Sequence, residues 1–262
     1  MPPSEGAVPG LTARRATDSD DRLAEVHAAL AQVTDPELDQ SVVELDFLAR
    51  VAIDGDRVAV DFRLPTFWCS AGFAWIMAED MRRALMRLPW VKGADIRLVD
   101  HFAAARINAG VASGAGFGQA FAGEVAGDLA ALRQTFRQKA FLGRMSRLIE
   151  ALRAGGMADT AILALTVGDL DHLTEGDRPE VAALARRYRE LRGDFGGPAT
   201  SLAPAFAKPD GEPILAAGLA SWLRDIRMTR RGVEANGEMC RILLAGRYGA
   251  AGGPSAEPLA GR

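Results

Sequence analysis

One thiol and a short series of carboxylates are spaced so that they could hold a metal ion or sulfane sulfur. Asp35-Pro36-Glu37 places two carboxylates in a single turn, Glu44 and Asp46 follow, and Cys69 stands just ahead of a helical stretch. The start of a helix exposes unpaired backbone N–H groups and favours negative charge. A sulfur there is held more readily as thiolate, the form that binds iron or accepts a persulfide sulfur. Nearby carboxylates could act as hard ligands or take up protons released on metal loading. His101, at the end of an expected strand, is a candidate additional ligand. Structural roles stand beside each of these. Cys69 could be an inert buried thiol, Asp35 could simply shape its turn, and Glu37 could be a solvated carboxylate.

The remaining candidates read as structural. Cys240, the only other cysteine, lies among apolar residues of Val233–Leu244 and is expected to be core. His27 falls on the apolar face of a helix, and His172 sits in a charged loop with Asp169 and Asp171. Trp68 and Trp75 are expected to be core, where an aromatic wall would shield the thiol from oxidation. Gly114-Ala115-Gly116-Phe117-Gly118 lacks the strand and the spacing of a dinucleotide loop. No Ser-His-Asp set, Walker loop or His-Glu-x-x-His helix occurs, so the chain reads as a non-enzyme.

The elements that would position these groups follow from periodicity. Leu23, Val26, His27, Leu30 and Val33 recur at helical spacing over 20–33, and Asp35-Pro36 ends the run. Val42–Ile53 and Arg57–Leu64 read as strands joined through Asp54-Gly55-Asp56, a hairpin signal. Val58, Val60 and Phe62 share one face of the second strand. A helix over 70–88 follows, closed by Pro89, and Asp95–Val99 is a third strand. Residues 102–123 turn to Ala and Gly and suggest a linker or capping segment. An amphipathic helix over 128–154 comes next, with shorter helices at 159–166, 179–192, 213–228 and 233–246. The expected organisation is a tail at 1–19, an α+β domain at 20–101, a linker at 102–123, an all-α domain at 124–248 and a tail at 249–262.

Composition narrows the classes. The chain has 262 residues, 31 Lys and Arg, 34 Asp and Glu, and a net charge of −3, so no basic face invites nucleic acid. No apolar run approaches membrane-spanning length, and the first residues lack the apolar core of a secretory signal. Two distant cysteines do not make a disulfide framework, which fits reduced thiols in a cytoplasm.

Residues 23–101 resemble the SufT/PaaD-type metal–sulfur cluster assembly domain, also found in a eukaryotic targeting factor of cytosolic iron–sulfur assembly. The likeness is carried by Val33-Thr34-Asp35-Pro36-Glu37-Leu38, Val42-Val43-Glu44-Leu45-Asp46-Phe47, Val51–Val58, Pro65-Thr66-Phe67-Trp68-Cys69 and the ending Gly93–Phe102. The family usually has glycine before its cysteine and proline after it, where this chain has Trp68 and Ser70. The usual Asp-Leu-Gly is Glu44-Leu45-Asp46 here. The resemblance implies an iron–sulfur cluster or metallocentre maturation factor. By that resemblance the reactive cysteine would be Cys69 and the acidic motif Asp35 and Glu37, with Glu44 a further candidate carboxylate of the pocket, and the cargo of iron, cluster or persulfide would be transient. A lone cysteine cannot satisfy a cluster, which implies a homodimer or a shared client ligand. The helical extension resembles accessory proteins of non-haem di-iron monooxygenase clusters, which implies a monooxygenase component as client. A non-metal adaptor that folds or docks an oxygenase subunit is the alternative.

Overall fold

A computed structural model describes residues 9–122 and 129–249, with side chains from Asp20 onward. The chain divides into two compact units, Met1–Ala126 with Gly237–Arg262, and Gly127–Asn236. The architecture is α+β at the N-terminal side followed by an all-helical region.

In the first unit, α1 (Pro9–Leu30) buries Val26 and Leu30. It begins well before the expected start at Asp20 and so takes in part of the expected tail; residues 1–8 lie outside the described residues. β1 (Leu48–Asp54) pairs antiparallel with β2 (Arg57–Phe62). Gly55 takes the first position of the connecting turn with φ of 60°, where a side chain would be strained. Val58, Val60 and Phe62 all face the core, as their alternation requires. α2 (Ala71–Leu85) crosses over to β3 (Gly93–Leu98), which lies parallel to β2 with Val60 opposite Ile96. Placing the crossover helix on one face of the sheet is the standard solution for a parallel pair.

Two expectations for this unit are corrected. The first strand begins at Leu48; residues 42–47 form a turn with Val42, Leu45 and Phe47 buried and Glu44 and Asp46 exposed, in which Asp46 has φ of 58°. The strand-like apolar pattern there reflects burial of Val42, Leu45 and Phe47, not extension. The expected linker holds α3 (Ala104–Ser113) and α4 (Phe117–Ala120). α3 comes so close to α2 that a Cβ at Gly110 would lie 2.4 Å from the Trp75 ring, so only glycine fits.

The second unit packs α5 (Leu129–Ala154), α6 (Asp159–Ala164), α7 (Val167–Thr174), α8 (Pro179–Arg192) and the first part of α9 (Ala216–Tyr248) around Phe141, Met145, Leu148, Tyr188 and Leu223. The expected loop at 169–172 is helical instead, because Thr166 and Asp169 form a reciprocal capping box. α9 is one continuous helix where two were expected; Gly232 is accommodated within it. Its last turns, from Gly237, belong to the first unit rather than to the expected helical domain. Of the tail expected over 249–262, residues 250–262 lie outside the described residues.

Candidate functional site

The site is built on the loop between β2 and α2. Pro65 and Leu64 are buried, and the chain then turns outward through Phe67 and Trp68 to Cys69. Ser70 is the N-cap of α2, so Cys69 precedes the first helical turn directly. The half-buried Cys69 Sγ lies 3.2 Å from Thr66 Oγ1, and its backbone N–H reaches Thr66 O at 3.5 Å.

His101 fixes the same loop. Its Nδ1 accepts the Ala103 N–H at 3.2 Å, which leaves the proton on Nε2 to donate to the Cys69 carbonyl at 2.8 Å. Burial holds its pKa below the usual histidine value. Both ring nitrogens are therefore engaged, and in this geometry His101, the candidate additional ligand, positions the thiol loop.

The acidic loop lies opposite. Asp35 is only 7% exposed, and its Oδ1 accepts the N–H groups of Glu37 and Leu38, both at 2.9 Å. The backbone closes around it through Asp35 N–H to Gln40 O and Asp39 N–H to Asp35 O. Burial pushes the Asp35 carboxyl up to about 6, against the downward pull of those two N–H donors. Asp35 thus both shapes the turn and presents a carboxyl group to a cavity.

That cavity, about 160 Å³, is lined by Asp35, Glu37, Cys69, Phe73, Met77 and a residue the sequence pattern assigned to core, Cys240. The structure thus brings Cys69, Asp35 and Glu37 together. Glu44 is not among the lining residues. It is exposed, and its Oε2 accepts the Ser41 N–H at 3.2 Å, so it secures the turn before β1.

Cys240 is half-buried on the final turns of α9. Burial, and then the negative charges of Asp35, Cys69 and Glu37, push its thiol up to about 11. No spacing in the sequence connects it to Cys69. The only hint was that the chain's two cysteines had no disulfide role.

The tryptophans divide. Trp75 is core, but Trp68 is 76% exposed, which corrects the expectation of a shielding wall. Trp68 stacks on Phe102 with ring centroids 6.4 Å apart and meets Phe67 edge-on at 4.8 Å. An exposed aromatic patch therefore adjoins the thiol. Among the described residues no three His, Cys, Asp or Glu side chains converge closely enough to hold a metal ion. None of the described helices is long and apolar enough to cross a membrane.

No curated protein matches the chain. Residues 23–96 match the family model described as iron-sulfur cluster assembly protein, so this segment, which holds the acidic loop, the hairpin, Cys69 and α2, is similar to an iron–sulfur assembly-type domain.

Proposed function

We propose that the protein is a maturation factor rather than an enzyme. Cys69 carries iron, cluster or persulfide sulfur for a short time and passes it to a client metalloprotein. The observation that carries this reading is the sharing of one cavity by Cys69, Asp35 and Glu37. Sulfur supplies the soft donor that iron–sulfur cargo needs, and the carboxylates favour cations. The exposed Phe67, Trp68 and Phe102 patch gives a recipient an apolar contact beside the sulfur. A SufT/PaaD-type role, a cytoplasmic setting and a di-iron monooxygenase component as client all belong to this proposal.

Anaerobic loading of the full chain with ferrous iron and sulfide tests it, followed by transfer to an apo-ferredoxin. Wild type should load and transfer, and Cys69→Ala should do neither. Equal loading and transfer by the two proteins refutes the role of the thiol.

A second reading, an adaptor without metal chemistry, draws on that same aromatic patch. It expects client binding that survives Cys69→Ser and is lost in Trp68→Ala.

A further inference from the structure

The cavity contains a second sulfur from outside the family-matched residues 23–96. Cys240 is held there by two anchors within the first unit. Arg241 Nη1 donates to Gln40 Oε1 at 2.7 Å, and a Cβ at Gly237 would come within 2.9 Å of Gln40 Nε2, so the helix lies tight against the end of the acidic loop. Farther along, Arg247 donates to Leu64 O at 3.3 Å and Asp100 O at 2.8 Å, and Tyr248 donates its hydroxyl to Asp100 Oδ2 at 2.9 Å. Arg63 lies over the Tyr248 ring at 4.6 Å. Gln40 leads out of the acidic turn, while Leu64 and Asp100 flank the thiol loop. The anchors therefore bracket the cavity, and Cys240 sits between them on a helix rather than on a loop. Rigid elements hold ligands more accurately than loops do.

A cysteine serving only as filler would gain from apolar neighbours. This one has apolar neighbours in Leu38, Phe47, Leu64, Pro65, Phe73 and Met77, yet it also shares its cavity with a second thiol and two carboxylates, and sulfur is the donor that iron–sulfur cargo selects. We propose that Cys240 is the second thiolate donor of the cavity, so that a single chain grips iron–sulfur cargo between Cys69 and Cys240. This rests on the maturation role above and replaces the need for a second copy to supply the second sulfur. As each iron–sulfur bond forms, the thiol loses its proton to solvent and displaces one ligand from iron, with no change of oxidation state. Two protein sulfurs satisfy only half of a cluster's usual four ligands, leaving positions from which a recipient's cysteines can take it.

Two measurements on the full chain test this. Phenylarsine oxide, which needs two neighbouring thiols, should be captured once per wild-type chain and by neither Cys69→Ser nor Cys240→Ser. Under anaerobic iron and sulfide loading, Cys240→Ser should bind several-fold less cargo than wild type, or lose it several-fold faster to a chelator. Failure of wild type to capture the arsenical overturns the inference without recourse to any variant. So does Cys240→Ser loading and retaining cargo like wild type, and in that case the role of Cys69 stands. Failure of wild type to load at all removes the maturation role and this inference with it.

Discussion

The imidazole Nε2 of His101 donates to the backbone carbonyl of Cys69 at 2.8 Å, so the thiol loop is tied to the chain just beyond β3. The bond is part-buried, so its loss is worth about 1 kcal/mol. His101→Ala should lower stability by that amount in urea unfolding and speed alkylation of Cys69 by iodoacetamide. Equal alkylation rates in wild type and variant would show that the bond does not position the thiol.

Asp35 makes stability depend on pH. Its folded-state pKa of about 6 lies above the ordinary 3.8, so the folded protein holds the proton more tightly than the unfolded chain does. That contribution is fully present below about 3.8 and is lost as pH rises through 6. Asp35→Asn keeps an oxygen to accept the Glu37 and Leu38 N–H groups and has no charge to bury. Relative to wild type it should gain stability across this window, by up to about 3 kcal/mol at neutral pH. Urea unfolding at several pH values measures the difference, and a constant difference between the two proteins contradicts the burial argument.

Trp68 is expected to serve contact rather than folding. At 76% exposure, its replacement by alanine should shift stability by less than about 0.5 kcal/mol. Cargo transfer to a recipient should slow while loading is unchanged. A large fall in the urea midpoint would mean that the ring is structural after all.

Arg192 is the structural pin of the second unit. Fully buried at the end of α8, its guanidinium donates to the carbonyls of Ala205, Phe195, Gly197, Pro198 and Pro204. Arg192→Ala leaves these acceptors unmatched and should cost about 3–5 kcal/mol. Arg192→Lys should recover little, because an ammonium cannot reach a fan of five oxygens. A variant within 1 kcal/mol of wild type, by thermal or urea unfolding, would refute the pin.

Local signals in the sequence made much of this legible. The alternation of Val58, Val60 and Phe62 and the Asp-Gly turn identify β2 and the hairpin, whereas Pro89 places the end of α2 late, since the helix closes at Leu85. Asp35-Pro36-Glu37 and Cys69 could be matched to one site because a resemblance ordered them. Other features depend on distant partners. The burial of Val42, Leu45 and Phe47 gives a turn the composition of a strand. That Ala103 and Cys69 occupy the nitrogens of His101 is likewise not encoded in any local pattern. The apolar neighbours of Cys240 suggest core, and only the anchoring of Arg241 and Arg247 shows where its helix ends up. Arg192 reads as an ordinary basic residue at a helix end, since its acceptors are loop carbonyls that no side-chain pattern encodes.

The closing turns of α9 have a practical consequence for dissecting the chain. A fragment cut to the boundaries of the recognisable domain would keep Cys69, the acidic loop and the sheet, yet would leave behind Cys240, Arg241, Arg247 and Tyr248. Such a fragment would expose the apolar lining formed by Phe73 and Met77 to water. Work on the excised piece would then report on a cavity that lacks one of its walls, and a weak result would reflect where the scissors fell.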